Sequence, residues 1–198
     1  MIALWDLGNV VIRWDPEVVL EMFNLNSQQT DYLRTDLLGH QDWLDLDRGI
    51  TTEEIVAQRI VSESDLTMHQ ALQCFAVVRE SMVDLQASVK MLHAMKAASI
   101  PMYVLSNMPS KNADYLRTRD YFKLFEGVVI SGEEKLLKPE PEIFQRVLDR
   151  YHLKAEEVYF IDDSLPNVEA AQSLGLQAQH FHRTDQCYAT LREKFGLS

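Results

Sequence analysis

Six residues far apart in the chain, Asp6, Ser106, Asn107, Lys138, Asp162 and Asp163, have the types needed to handle a phosphate ester. A carboxylate can attack phosphorus in line and carry the phosphoryl group as an aspartyl-phosphate, dividing one hard displacement into two. It cannot approach a phosphate dianion unless charge is neutralised. A magnesium ion held by one or two carboxylates and a backbone carbonyl would do this. A lysine adds a point charge on the phosphate oxygens, and a hydroxyl adds a directed hydrogen bond. In this assignment Asp6 is both nucleophile and metal ligand, with a backbone carbonyl as a further ligand. Asp163, with Asp162 beside it, holds the other side of the metal. Ser106, Asn107 and Lys138 bind the phosphate of a small-molecule ester.

Three of these groups stand where an apolar run ends. Ile2-Ala3-Leu4-Trp5 precedes Asp6, Met102-Tyr103-Val104-Leu105 precedes Ser106-Asn107, and Val158-Tyr159-Phe160-Ile161 precedes Asp162-Asp163. A further run, Gly127-Val128-Val129-Ile130, ends at Ser131 and is followed by a polar loop, 132–141, that carries Lys138. Short apolar runs bounded by turn residues read as buried strands, and the stretches between them have helical spacing. Strand–helix alternation implies a parallel sheet with right-handed crossovers, whose carboxyl ends share one edge. Residues 15–85 break the alternation: Asp15-Pro16-Glu17 and Thr51-Thr52-Glu53 read as helix starts, and no strand pattern intervenes. A last strand is expected at Ala178–Phe181, then a closing helix. The expected architecture is a doubly wound, Rossmann-like α/β core (1–14 and 86–198) with an all-helical cap (15–85) inserted after the first strand.

Composition narrows the function further. The 198 residues are 46% hydrophobic and 25% charged, as in an ordinary globular protein. A formal net charge of −11 argues against a broad nucleic-acid surface, so any positive charge that receives an anion must be local. No apolar run is long enough to span a bilayer, and the N-terminus lacks a signal-peptide pattern. Cys74 and Cys187 lie far apart with no motif around either, which reads as two free thiols in a reducing compartment. A cytoplasmic monomer or homodimer is expected.

The ordered motifs resemble those of the haloacid dehalogenase-like hydrolase superfamily. Leu4-Trp5-Asp6-Leu7-Gly8-Asn9-Val10-Val11 matches the first, Val104-Leu105-Ser106-Asn107 the second and Lys138-Pro139-Glu140 the third. Phe160-Ile161-Asp162-Asp163, followed by Asn167, Glu169 and Ala170, matches the fourth. The Asp-Leu-Gly-Asn form together with Ser-Asn is most similar to the sugar-phosphate phosphatases typified by α-D-glucose-1-phosphate phosphatase. The resemblance implies a magnesium-dependent phosphatase. One position departs from the pattern. Most phosphatases of the superfamily carry a general acid two residues after the nucleophile, where this chain has Gly8, whose carbonyl can still bind the metal but which cannot protonate a leaving alkoxide. The proton would then come from a substrate hydroxyl, a water or a cap residue. His40, Trp43 and Asp47 stand close together in the cap and are candidates to face the substrate, against the plainer reading of a helix surface with a core tryptophan. His93, His152, His180 and His182 are not expected in the site.

The missing acid also raises two rivals. In a 2-haloacid dehalogenase the aspartate attacks carbon, and halide leaves without a proton. Two further acids beside the nucleophile would repel a carboxylate substrate, which favours the phosphatase. A non-catalytic relative that binds phosphate or a partner is the other. Taken singly, each has a plainer reading: Ser106 as a helix cap, Lys138 as a surface lysine and Asp162-Asp163 as helix-dipole acids.

Overall fold

Ile2–Trp5 is the first strand (β1), and it alternates faces: Ala3 and Trp5 pack to one side of the sheet and Leu4 to the other, all fully buried. The computed structural model describes residues 1–23 and 25–197. Met102–Ser106 (β2), Gly127–Ile130 (β3), Val158–Asp162 (β4) and Gln177–His180 (β5) complete one parallel sheet in the order β3-β2-β1-β4-β5. Trp5 pairs with Val104 of β2 and Ile161 of β4, so the strand ends lie level on one edge.

Helices cover both faces. On one side Gln86–Ala97 (α6), Ser110–Arg117 (α7) and Asp185–Phe195 (α11) contribute Met91, Leu92, Leu116 and Leu191 to the core around Trp5, Val104 and Ile161. On the other, Pro141–Tyr151 (α9) and Leu165–Ser173 (α10) bury Phe144, Val147 and Ala171 against Leu4, Leu105 and Phe160. This is the expected doubly wound α/β arrangement.

Between β1 and α6 come Pro16–Glu21 (α1), Ser27–Leu33 (α2), Gln41–Arg48 (α3), Glu53–Glu63 (α4) and Met68–Ser81 (α5), with a π-helical segment at Arg34–Leu38. The helix starts follow from their caps: the Asp15 side chain accepts from Glu17 N before Pro16, and Thr52 accepts from Ile55 N. These helices enclose an apolar cluster of their own, including Leu33, Leu37, Val56, Ile60 and Phe75. Their connections to the sheet lie side by side, Arg13 N bonding Val83 O at 2.8 Å and Leu85 N bonding Val11 O at 2.8 Å.

Two expectations shift. The loop expected at 132–141 opens with a helical turn, Ser131–Glu134 (α8), closed by Lys135 N donating to Ser131 O at 2.9 Å. The last strand starts one residue earlier than expected, at Gln177. It is an edge strand of half-buried residues, so its apolar cue is weak, while the buried Phe181 lies just beyond it. Both cysteines are free and buried. No helix among the described residues is long and apolar enough to cross a membrane.

Candidate active site

Asp6 follows β1 directly, and its N–H donates to Ile161 O at 2.9 Å, which holds the residue at the sheet edge. Lys138 arrives from the loop after α8. Asn107 grips its main chain twice: Lys138 N donates to Asn107 Oδ1, and Asn107 Nδ2 donates to Lys138 O, both at 2.9 Å. The ammonium is thereby aimed under the sheet edge. It donates to Leu105 O at 3.0 Å and Asp162 Oδ2 at 2.6 Å, and it lies 2.8 Å from Asp6 Oδ1. Burial works against its charge, but Asp162 and Asp6 outweigh that and hold the Lys138 pKa above the ordinary lysine value.

The two acids of the pair sit differently. Asp162 is fully buried and its oxygens are engaged: Oδ1 accepts from Ser164 N and Asn167 Nδ2, and Oδ2 from Lys138 and Asn167. Asp163 is half-buried, with the Asn9 side chain near its carboxylate and His180 Nε2 at 2.9 Å from its carbonyl. Asn9 has φ 53°, a left-handed conformation that asparagine tolerates, and its Oδ1 accepts from Trp14 N at 3.1 Å.

One carboxylate oxygen from each of Asp6, Asp162 and Asp163 falls within 4.8 Å of the others. An all-oxygen donor set of this kind suits a hard divalent cation. The charge balance points the same way, since three acids face one lysine. Burial pushes Asp6 up to about 6, Lys138 opposing and Asp162 adding to the shift. Burial and then Asp162 raise Asp163 as well. The cluster is short of positive charge, and a divalent ion fits that deficit.

Beside the cluster is a cavity of about 70 Å³ whose wall includes Gly8, Trp14, Trp43, Asp47, Asn107 and Asn112. Trp43 and Asp47, four residues apart on α3, face it together. The Trp43 ring stacks on Trp14 with centroids 5.3 Å apart and planes at 12°. His40 does not join them: its Nδ1 accepts from Asp42 N and caps α3.

Three consecutive residues at the end of α3 tie the helical insertion to the core. Ser131 Oγ donates to Asp47 O at 2.5 Å, and Arg48 Nη1 donates to Glu140 Oε2 at 3.0 Å. Gly49, at φ +74°, lies so close to Gly132 that a Cβ would stand 2.1 Å from its carbonyl oxygen.

The fold thus brings Asp6, Lys138, Asp162 and Asp163 into one cluster, with Ser106 fully buried at the end of β2 and Gly8 on the cavity wall. Asn107 spends its side chain on Lys138. His180, read as an edge residue outside the site, touches Asp163. Its position is fixed by the pairing of Asp162 with His180 across β4 and β5, a register that no local pattern announces. The contact of Asn9 with Arg183 was equally hidden, because it joins residues distant in the chain.

A model of the haloacid dehalogenase-like hydrolase family matches residues 3–175. The chain is 25% identical over 195 residues to a sesquiterpene phosphatase of Aspergillus oryzae, covering 98% of this chain and 96% of that protein. It is 34% identical over 87 residues to a phosphorylated carbohydrates phosphatase of Thermotoga maritima, covering 43% and 40% of the two chains. Among solved structures, a HAD family enzyme from Bacteroides thetaiotaomicron, in complex with magnesium and inorganic phosphate, superposes with a TM-score of 0.76 at 25% identity. That match covers 92% of this chain and 94% of the other.

Proposed function

The chain belongs to the haloacid dehalogenase-like hydrolase family, and we propose that it is a magnesium-dependent phosphatase of a small phosphate monoester, probed first with sugar phosphates. The observation that carries the reading is the gathering of three carboxylates and one buried lysine at the sheet edge, short of one cation. A dehalogenase has no use for that arrangement, because the acids would repel its carboxylate substrate.

The residues divide the work by their bonds. Asp6 attacks phosphorus and carries the phosphoryl group until water releases it. Asp163, whose carboxylate is the less engaged of the pair, binds the metal with Asp6 and the Gly8 carbonyl, and Asp162 holds Lys138 in register. When bound, magnesium neutralises phosphate charge and allows the two anions to meet. Lys138 keeps Asp6 aimed and lends positive charge to the phosphate. The Ser106 hydroxyl and the Asn107 main-chain N–H bind phosphate oxygens. Asn9 and His180 orient Asp163. Residues 15–85 act as the cap that chooses the leaving group. The stacked Trp14 and Trp43 give that group a flat apolar wall, which suits the face of a sugar ring. The carbohydrate-phosphate relative supports the same substrate class.

Phosphate release from p-nitrophenyl phosphate and a sugar-phosphate panel, with magnesium or with chelator, tests this reading. Magnesium-dependent release that Asp6→Asn abolishes is expected. Chloride release from 2-chloropropionate without metal would replace it with the dehalogenase, and no turnover of any ester would leave a binding protein.

A further inference from the structure

We infer that Asp47, carried on α3 of the inserted helical unit, supplies the proton that Gly8 cannot give to the leaving group. The inference rests on the phosphatase reading and names a catalytic residue within it. Asp47 lines the same cavity as Gly8 and is the one titratable side chain on the described wall. Its carboxylate makes no hydrogen bond or ion pair among the described residues, although its main chain is anchored by Ser131. Other acids of the insertion near the core are paired: Glu53 with Arg79 and Lys111, and Asp42 with Arg59. An unpaired acid kept near the Asp6 carboxylate costs stability unless it has work to do. Burial, with the Asp6 charge adding to it and Lys138 opposing, raises the Asp47 pKa above the ordinary aspartate value, the direction that favours the acid form.

The step balances. As an Asp6 oxygen bonds to phosphorus, the bond from phosphorus to the ester oxygen breaks, and that oxygen takes the Asp47 proton to leave as an alcohol. Water then attacks the aspartyl-phosphate and gives a proton to the Asp47 carboxylate. Phosphate leaves, Asp6 is freed and Asp47 is reprotonated. A cap residue in this part ties proton delivery to cap docking through the Asp47–Ser131, Arg48–Glu140 and Gly49–Gly132 contacts.

The test compares two esters of similar size, p-nitrophenyl phosphate, whose phenolate leaves unaided, and benzyl phosphate, whose alkoxide needs a proton. Asp47→Asn is expected to lower kcat/KM for benzyl phosphate by about 10²–10⁴-fold, and for the nitrophenyl ester by less than about tenfold. The ratio of the two is independent of the folded fraction of the variant. Gly8→Asp provides the second variant. A Cβ at Gly8 meets nothing closer than Asp6 Oδ2 at 3.9 Å, so an acid fits where the chain has none. Added to Asp47→Asn, it is expected to recover at least about tenfold of the benzyl phosphate turnover. An unchanged ratio in Asp47→Asn, in an enzyme that hydrolyses both esters with magnesium, would overturn the role of Asp47 alone. No hydrolysis of either ester by the unaltered protein would overturn the phosphatase reading and this inference together.

Discussion

Lys138 Nζ sits between Asp6 and Asp162, 2.8 Å from the first and 2.6 Å from the second, with its side chain almost wholly buried. Removing it strands two buried carboxylates. Lys138→Met is expected to cost about 3–5 kcal/mol in denaturant unfolding, because a lone buried charge is worse than none. The double variant Lys138→Met/Asp162→Asn should regain much of that stability while remaining inactive. A double variant no more stable than the single one would show that the lysine does not compensate the pair.

The acid cluster also sets a pH dependence. The Asp6 pKa rises on folding from 3.8 to about 6, so between these values the native state holds more protons than the unfolded one. Its contribution to stability is therefore present below the lower value and is lost as pH rises through about 6. Without metal, Asp6→Asn should melt above the unaltered protein at about pH 7.5, and the gain should vanish near about pH 4. Magnesium should stabilise the unaltered protein at the higher pH and leave Asp6→Asn nearly unmoved. Calorimetry across this range checks both signs.

At Gly49 the backbone is left-handed and the neighbouring carbonyl leaves no space for a side chain. Gly49→Ala is expected to lose about 1–3 kcal/mol and to lower kcat/KM, because α3 must lift from Gly132. Gly8→Ala serves as the contrast. It has φ outside the left-handed range and open space, so its melting temperature should stay close to that of the parent.

Trp43→Ala removes one half of the stacked pair and opens the cavity wall. A loss of about 3–5 kcal/mol is the upper range for such truncations, and a partly exposed tryptophan should fall below it. The more specific expectation is a raised KM for small esters, with bulkier ones favoured. Kinetics on a series of graded alcohol size would reveal it.

Much of this site was legible in the sequence because its polar groups follow strong local signals. Asp6, Ser106 and Asp162-Asp163 each end an apolar run, and a parallel sheet has one place to put such ends. The helical character of 15–85 was legible for the same reason, from Asp15-Pro16 and Thr52 as caps. What could not be read were contacts that depend on register or on docking. The main-chain grip of Asn107 on Lys138 joins residues from two loops, and the bond from His180 to Asp163 follows from the pairing of β4 with β5. Trp43 and Asp47 were candidates by proximity alone. Their share of the cavity depends on how α3 meets Ser131 and Gly132, which helical periodicity does not encode.

The placement of β1 at the centre of the sheet has a consequence for how this protein is made. The strand leaves the ribosome before either of its partners, which begin at Met102 on one side and Val158 on the other. Until Met102 has emerged, Ile2–Trp5 has neither edge satisfied, and the intervening helices must collapse around their own apolar cluster without it. Nascent chains stalled before residue 102 should therefore present Ile2–Trp5 as an unpaired apolar segment beside the helices of the insertion, the condition in which chaperones are recruited.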